Sequence, residues 1–107
     1  MAYDDELGDR IREQLGDEEA VDEKRMFGGL AFMVHGHLAV AASGRGGAMV
    51  RIDPADADEL TAREGVERMV MGGRSMDGWL RVDAHQVADD VALAEWVQRG
   101  VAFVRTL

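Results

Sequence analysis

Residues 24–34 decide the fold and read KRMFGGLAFMV. Side chains alternate between the two faces of a strand, and both alternating sets in this run are almost entirely apolar. Such a strand is covered on both sides or lies in a dimer interface. Glycine inside a strand indicates a bulge or the close approach of another backbone, so Gly28 and Gly29 are expected to be structural glycines. We therefore predict one buried strand within residues 21–34.

The rest of the chain supplies more strands and three helices around this run. The predicted strands are short apolar runs bounded by turns, at residues 21–34, 38–42, 48–52, 66–71 and 79–82. The predicted helices carry spaced apolar residues and lie at residues 4–15, 54–64 and 84–104. Asp83, with Gln86 three positions later, imitates a capping box before the last helix. The order α-β-β-β-α-β-β-α predicts an α+β fold, with helices packed on an antiparallel five-stranded sheet.

The composition is that of one small domain, residues 1–107, and its 47 % hydrophobic content is enough to form a core. The absence of cysteine excludes a disulfide framework, a zinc–thiolate site and a cysteine nucleophile, and it fits a cytoplasmic protein. No apolar run approaches the roughly 20 residues of a membrane span, and the acidic N-terminus is unlike a secretory signal. We therefore expect no membrane partner.

The formal net charge of −9 is unevenly distributed. Residues 1–23 contain ten acidic and two basic residues, whereas residues 24–107 contain eleven acidic and ten basic residues. Affinity for nucleic acid comes largely from cations that contact phosphates, so direct nucleic-acid binding is disfavoured. The simplest interpretation of the acidic excess is a solvated, solubilising face.

Catalytic patterns are missing from the sequence. Ser43 and Ser75 are the only serines, and neither lies in a nucleophile elbow. His35 and His37 flank a glycine turn and could share a metal with a carboxylate, but no third ligand is indicated by spacing. No phosphate-binding glycine pattern follows residues 28–29. We therefore expect a protein that is not an enzyme and uses no cofactor.

Two features leave a binding surface open as an interpretation. Arginines flank the strands and could form a basic patch suited to an acidic peptide or a phosphate group, namely Arg25, Arg51, Arg74 and Arg81. The alternative is that they pair internally with Asp53, Asp77 or Asp83. The seven methionines fit core packing, and methionine also serves adaptable binding surfaces.

Two segments together resemble the N-terminal domain of the TfoX/Sxy family. They are KRMFGG at residues 24–29, followed by an apolar strand, and GRSMDGW at residues 73–79, followed by a strand and a long C-terminal helix. The similarity extends from the first helix to Thr106, and its specificity lies in the combination of both segments. It implies a two-layer domain with helices against an antiparallel sheet, and it supplies no catalytic residues.

The resemblance also implies a role. The family's namesakes are bacterial regulators of DNA-uptake competence, and they resemble coactivators that work with a CRP-type transcription factor. In them a helical C-terminal domain follows, and we expect the present chain to be a stand-alone form that lacks it. The resulting expectation is a non-enzymatic regulatory module, homodimeric, with a protein partner such as a transcription factor.

The expected interaction surface comprises Lys24, Arg25, Phe27, Arg74, Met76 and Trp79. The expected structural glycines are Gly28, Gly29, Gly73 and Gly78. The alternative hypothesis is a small-ligand or metal-binding protein, or an enzyme, that uses the glycine-rich loop from Gly72 to Gly78 together with His35 and His37.

Overall fold

Six strands form one antiparallel sheet in the computed structural model, which describes residues 5–26 and 28–107. The strands are β1 Val21–Met26, β2 Gly29–Val34, β3 His37–Ala42, β4 Ala48–Arg51, β5 Val66–Met71 and β6 Arg74–Val82. The helices are α1 Asp5–Gln14, α2 Ala57–Leu60 and α3 Asp90–Val104, and short 3₁₀ helices lie at Pro54–Asp56 and Ala84–Val87. The strand order across the sheet is β1-β2-β3-β4-β6-β5. The predicted α+β fold with helices on an antiparallel sheet is therefore confirmed.

The predicted single strand over residues 21–34 is wrong, because this segment is a hairpin. Met26 of β1 pairs with Gly29 of β2, so only two residues connect the strands, and Gly28 has a φ of 75°. The apolar run concealed the turn, since it contains none of the polar residues that usually mark one. The sheet consequently has six strands instead of five, and Phe27 lies outside the described residues.

The expected close approach of another backbone is confirmed at Gly29. A Cβ atom built on Gly29 would overlap the carbonyl oxygen of Ala42 in the neighbouring strand β3. The backbone nitrogen of Gly44 lies 3.1 Å from the same position, so the turn after β3 folds closely over Gly29.

The predicted loop at residues 72–78 is also wrong. Only Gly72 and Gly73 form the turn, with φ of 59° and 80°, and β6 already begins at Arg74. Sequence patterning missed this part of the strand because Ser75 and Asp77 are exposed and carry no apolar alternation.

The main core lies between the sheet and the helices. A row of large side chains crosses the sheet on this face, with Phe32, Val40, Val50 and Leu80 all 0 % exposed and opposite one another in register. Helices α1 and α3 cover the row, and Trp96 of α3 is also buried. Burying a side chain of this size contributes roughly 1.5–3 kcal/mol, so this layer supplies most of the stability.

Helix α3 lies close against a bulge in the sheet at Gly100. Phe32 pairs with Val40 and Met33 with Leu38, which leaves Ala39 as an extra residue in β3. A Cβ atom built on Gly100 of α3 would overlap the carbonyl oxygen of Ala39. The absence of a side chain at residue 100 is therefore what lets the helix lie on the sheet.

The N-terminal cap of α3 differs from the prediction. The Asp89 carboxylate accepts a hydrogen bond of 2.7 Å from the Ala92 backbone N–H, whereas Asp83 makes no side-chain cap bond. Gln86 does not complete a capping box, because its side-chain amide donates to the Glu64 carbonyl at 2.7 Å. The chain forms a 3₁₀ helix after Asp83 before α3 begins, so the cap moves to Asp89.

Replacing Gly100 by alanine should lower the free energy of unfolding by roughly 1–3 kcal/mol, as overpacking does. The added methyl group would press on the Ala39 carbonyl, which belongs to a paired strand and cannot yield alone. Urea unfolding followed by circular dichroism measures the change. Gln98→Ala, on the exposed side of the same helix, is the control and should stay within about 0.5 kcal/mol of wild type. Alanine stabilises an ordinary helix interior by about 1 kcal/mol over glycine, so a more stable G100A would contradict the close contact.

Candidate functional site on the open face of the sheet

The sheet face opposite the helices carries a second apolar cluster, built only from strand residues. It comprises Met26, Ala31, Met33, Leu38, Ala41, Met49 and Trp79. We call this surface the open face. Its three methionines and Trp79 are partly buried by one another and by the strands, and no described helix contributes a side chain to the cluster.

A sharp irregularity bends one end of the sheet. Arg68 of β5 pairs with Leu80 of β6, but Met69 pairs with Met76, so residues 77–79 have no partner on β5. These residues bond to the β4 side instead, where the Gly78 carbonyl accepts from the Ile52 N–H at 3.0 Å. We call residues 69–76, which lie beyond the irregularity, the distal hairpin.

The bend creates a hollow of about 240 Å³ on the open face. Its lining includes residues from all six strands and from the turn after β3, namely Met26, Gly29, Ala31, Ala41, Ala42, Ser43, Gly44, Arg45, Met49, Met69, Val70 and Arg81. Met26 lies on one edge strand and Met69 on the other, so the sheet curves far enough for both edges to border one hollow.

The arginines on the helix side of the sheet are engaged in ion pairs. The pairs are Arg10–Asp90, Arg12–Asp9, Arg12–Glu23, Arg63–Glu95, Arg68–Asp58, Arg68–Asp77, Arg99–Asp56, Arg99–Glu95 and Arg105–Glu18. These contacts hold α1, the segment around α2 and α3 to one another and to the sheet.

The cations at the open face behave differently. Within residues 5–26 and 28–107, no ion pair is formed by Lys24, Arg45, Arg51, Arg74 or Arg81. The carboxylates considered as internal partners are used elsewhere or lie apart: Asp77 pairs with Arg68 at 3.1 Å, and Asp53 accepts from the Ala55 N–H at 2.9 Å. Internal pairing is therefore the wrong interpretation for Arg51, Arg74 and Arg81.

Arg51 is held by aromatic rings instead of by carboxylates. Its guanidinium carbon lies 4.6 Å from the centroid of the Trp79 ring and 5.3 Å from that of Phe103 in α3. A cation over an aromatic face is stabilised by the ring quadrupole. The Arg51 Nε atom is buried without a hydrogen-bond partner among the described residues.

The strand positions on the open face include two carboxylates. Asp22 lies opposite Met33 in register, and Glu67 lies opposite Arg81. Lys24 lies opposite Ala31 on the same face, and Arg45 lies at the edge of the hollow. Counted with Arg51 and Arg81, the cations outnumber these two acids, so the open face is locally positive on a chain with a net charge of −9.

The structure brings several of the predicted interaction residues to this face. Lys24 and Trp79 lie on it, Met76 pairs with Met69 in the distal hairpin, and Arg74 is exposed at the start of β6. Arg25 lies opposite Leu30, on the other side of β1. Phe27 is outside the described residues.

The residues of the site that sequence reasoning missed include Met26, Met49, Met69 and Arg45. Met49 alternates with buried Val50 in β4, and that alternation was a usable signal for a side chain on the second face. Nothing in the sequence placed Arg45 beside Met49, because their proximity depends on how the turn after β3 folds over Gly29.

Residues 13–104 match the model of the TfoX N-terminal domain. The chain belongs to the TfoX N-terminal domain family. Searches of curated proteins and of solved structures each found no match. In this TfoX N-terminal domain, both segments that carried the resemblance border the open face: residues 24–29 supply Met26 and Gly29 to the hollow, and residues 73–79 form the β5–β6 turn and the irregular part of β6.

His35 and His37, the histidines of the alternative site, share one hollow but have no third metal ligand beside them among the described residues. His35 and His37 border a separate hollow whose other lining residues are Val104, Arg105 and Leu107, none of which is a metal ligand of the usual kind. The part of the chain that the structure describes contains no group of three or more histidine, cysteine or acidic side chains able to hold a metal ion. Across the same residues, no helix is long and apolar enough to cross a membrane.

The paired arginines also lower the pKa values of two carboxyl groups. Hydrogen bonds of 2.6 and 2.7 Å from Arg12 lower the pKa of Glu23 below its ordinary value, and burial opposes this effect. Arg63, with smaller contributions from Arg99, lowers the pKa of Glu95 in the same way. A lowered folded pKa means that each pair stabilises the fold above the ordinary carboxyl pKa and loses that contribution as the pH falls through the folded value.

Replacing Arg12 by glutamine should therefore raise the pKa of Glu23 towards its ordinary value. The free energy of unfolding should then fall less steeply as the pH is lowered. Carboxyl carbon NMR shifts recorded against pH measure the pKa directly. Arg74→Gln, which removes a cation that makes no ion pair in residues 5–26 and 28–107, is the control and should leave the Glu23 titration where it was. An unchanged Glu23 titration in the Arg12 variant would mean that the pair does not form in solution.

Proposed function

We propose that this TfoX N-terminal domain is a cytoplasmic, non-enzymatic regulatory module that binds a protein partner through its open face. The observation that carries the proposal is the combination found there: an apolar, methionine-lined surface over which no described helix lies, bordered by cations that form no ion pair within residues 5–26 and 28–107. Cores of protein interfaces are enriched in aromatic residues, methionine and arginine, and depleted in lysine and acidic residues. Trp79, Met49 and Arg81 fit that composition.

The family supports a regulatory partner. Because its namesakes resemble coactivators that work with a transcription factor, a transcription factor is the partner class we propose. The partner would supply the DNA contacts, since the first 23 positions of this chain carry ten acidic residues against two basic ones and repel a duplex.

The non-enzymatic part of the proposal follows from the family resemblance, and the placement of the described serines and histidines is compatible with it. Among the described residues, Ser43 borders the open-face hollow, while His35 and His37 border the other one. His85 lies beside Gly65. A nucleophile needs a base within hydrogen-bond reach, and Ser43 accepts its hydrogen bond from the Arg45 backbone N–H.

The homodimer expected from the sequence stays a prediction, and the open face is a poor surface for it. A two-fold dimer is isologous, so the same patch occurs on both sides of the interface. Pairing two open faces would set Lys24, Arg45 and Arg81 of one copy against the same cations of the other. Like charges across an interface suppress association, so we assign the open face to a different protein.

Affinity capture with two charge-matched variants tests the proposal. Arg45→Gln combined with Arg81→Gln should reduce recovery of the native partner by about tenfold or more, since losing about 1.4 kcal/mol of binding corresponds to one decade in affinity. The control, Arg10→Gln combined with Arg63→Gln, changes the net charge equally on the helix side. Quantitative mass spectrometry of the captured proteins measures recovery, after unfolding curves have shown that both variants are folded.

The pattern of recovery decides the outcome. A partner that is lost with the open-face variant and kept with the helix-side variant supports the proposal. If every captured protein behaves alike with wild type and both variants, the open face is not where partners bind. If the helix-side variant alone loses the partner, the functional surface is the helix layer.

A further inference from the structure

We infer that the hollow is an anchor pocket for an acidic peptide segment of the partner, with one long apolar side chain inserted between Met26, Met49 and Met69 and the flanking carboxylates paired with Arg45 and Arg81. The inference rests on the proposed function and goes beyond it by naming the chemistry of the segment that binds. It rests on the shape, lining and charge of the hollow.

The depth of the hollow results from the small residues in its lining. Its lining combines Gly29, Ala31 and Ala41 with the longer side chains of Met26 and Met49. Small residues at neighbouring positions of adjacent strands leave a depression, and the longer side chains around them form its walls. Gly29 cannot be replaced by a larger residue, since a Cβ atom there would overlap the Ala42 carbonyl.

The volume of the hollow favours the binding of one side chain over the binding of a whole small molecule. The volume of about 240 Å³ is smaller than the roughly 300–1,000 Å³ typical of ligand pockets, which enclose most of their ligand. The hollow is also open to solvent along the distal hairpin, where Val70 is 61 % exposed. An anchor side chain whose backbone stays outside fits both properties.

The lining favours a flexible apolar anchor. Three methionines surround the space, and the unbranched thioether side chain adapts to the shape of what it contacts. Leucine, methionine and phenylalanine are anchors of the right character. A polar anchor would lose hydration against the three methionines, whose side chains offer only a weak thioether acceptor in return.

The charge selects an acidic segment. Arg45 and Arg81 both line the hollow, and neither has an ion-pair partner within the described residues. Arginine binds carboxylates through two parallel hydrogen bonds, which adds direction to attraction. Glu67 lies opposite Arg81 in register, but no ion pair joins the two among the described residues. The remaining acidic charge of the chain lies mainly on the helix side and is screened beyond about 8 Å at physiological salt.

A second copy of this chain is a weaker occupant. Its acidic first helix could supply carboxylates, but Asp9 of that helix is already paired with Arg12. A helix docking into a different surface of the next copy would be a heterologous contact, which builds open chains unless it closes into a ring.

Peptide titration of the whole protein, labelled at the methionine methyl groups, tests the inference. The probe is a short blocked peptide of aspartate and glutamate with one central leucine. It should shift the methyl signals of Met26, Met49 and Met69, with an affinity that falls as salt is added. Replacing the leucine by serine, or Arg45 and Arg81 by glutamine, should each weaken binding by about tenfold or more. Arg10→Gln combined with Arg63→Gln is the matched protein control, because it removes two helix-side cations that do not line the hollow, and it should bind as wild type does.

Three further arms separate the competing outcomes. A lysine-rich peptide with the same leucine should not bind, and equal binding would overturn the charge argument. A medium-chain fatty acid carboxylate that binds as tightly as the peptide would make the hollow a small-ligand site instead. Methyl shifts that appear on raising the protein concentration alone would identify a second copy as the occupant. If no peptide binds while partner capture still depends on Arg45 and Arg81, the anchor mechanism is wrong and the proposed function survives.

Discussion

The alternation of side chains along β4 and β6 is the constraint on which the rest of the molecule depends. Val50 and Leu80 point to the helices and are fully buried, while Met49 and Trp79 point to the other face. A pleated strand cannot send neighbouring side chains to the same face, so the layer that stabilises the fold and the layer that meets solvent are set by the same residues. Shifting either strand by one position would exchange the two surfaces and remove the core.

Periodicity accounts for the parts of the fold that were predicted correctly. The spacing of Leu7, Ile11 and Leu15 gave α1, and all three side chains are buried against the core. Strand β5 and the body of α3 were found in the same way, since their patterns are local. The errors lie at two glycines. At Gly28, a two-residue turn interrupts an apolar run that looks like one strand. After Gly73, a strand begins inside a stretch that looks like a loop.

The candidate site was predicted less completely, and the reason is physical. Lys24 and Trp79 could be placed on a surface from their own strands. The hollow beside them could not, because it exists only after residues 77–79 leave the β5 ladder and the distal hairpin turns towards Met26. This geometry depends on contacts between residues that are distant in the sequence, and no local pattern predicts them. The ion pairs were unpredictable for a similar reason. Which arginines pair with carboxylates depends on the packing of α1 and α3, and not on the distance between the residues in the sequence.

The position of Arg51 ties the two layers together. One guanidinium touches Trp79 on the open face and Phe103 in the last turns of α3. A bound carboxylate that drew this cation away from the indole would also deprive the phenyl ring of its neighbour. Binding of a ligand on the open face would then change the surroundings of Phe103 in the helix on the opposite side, through a single side chain and without any movement of the backbone between them.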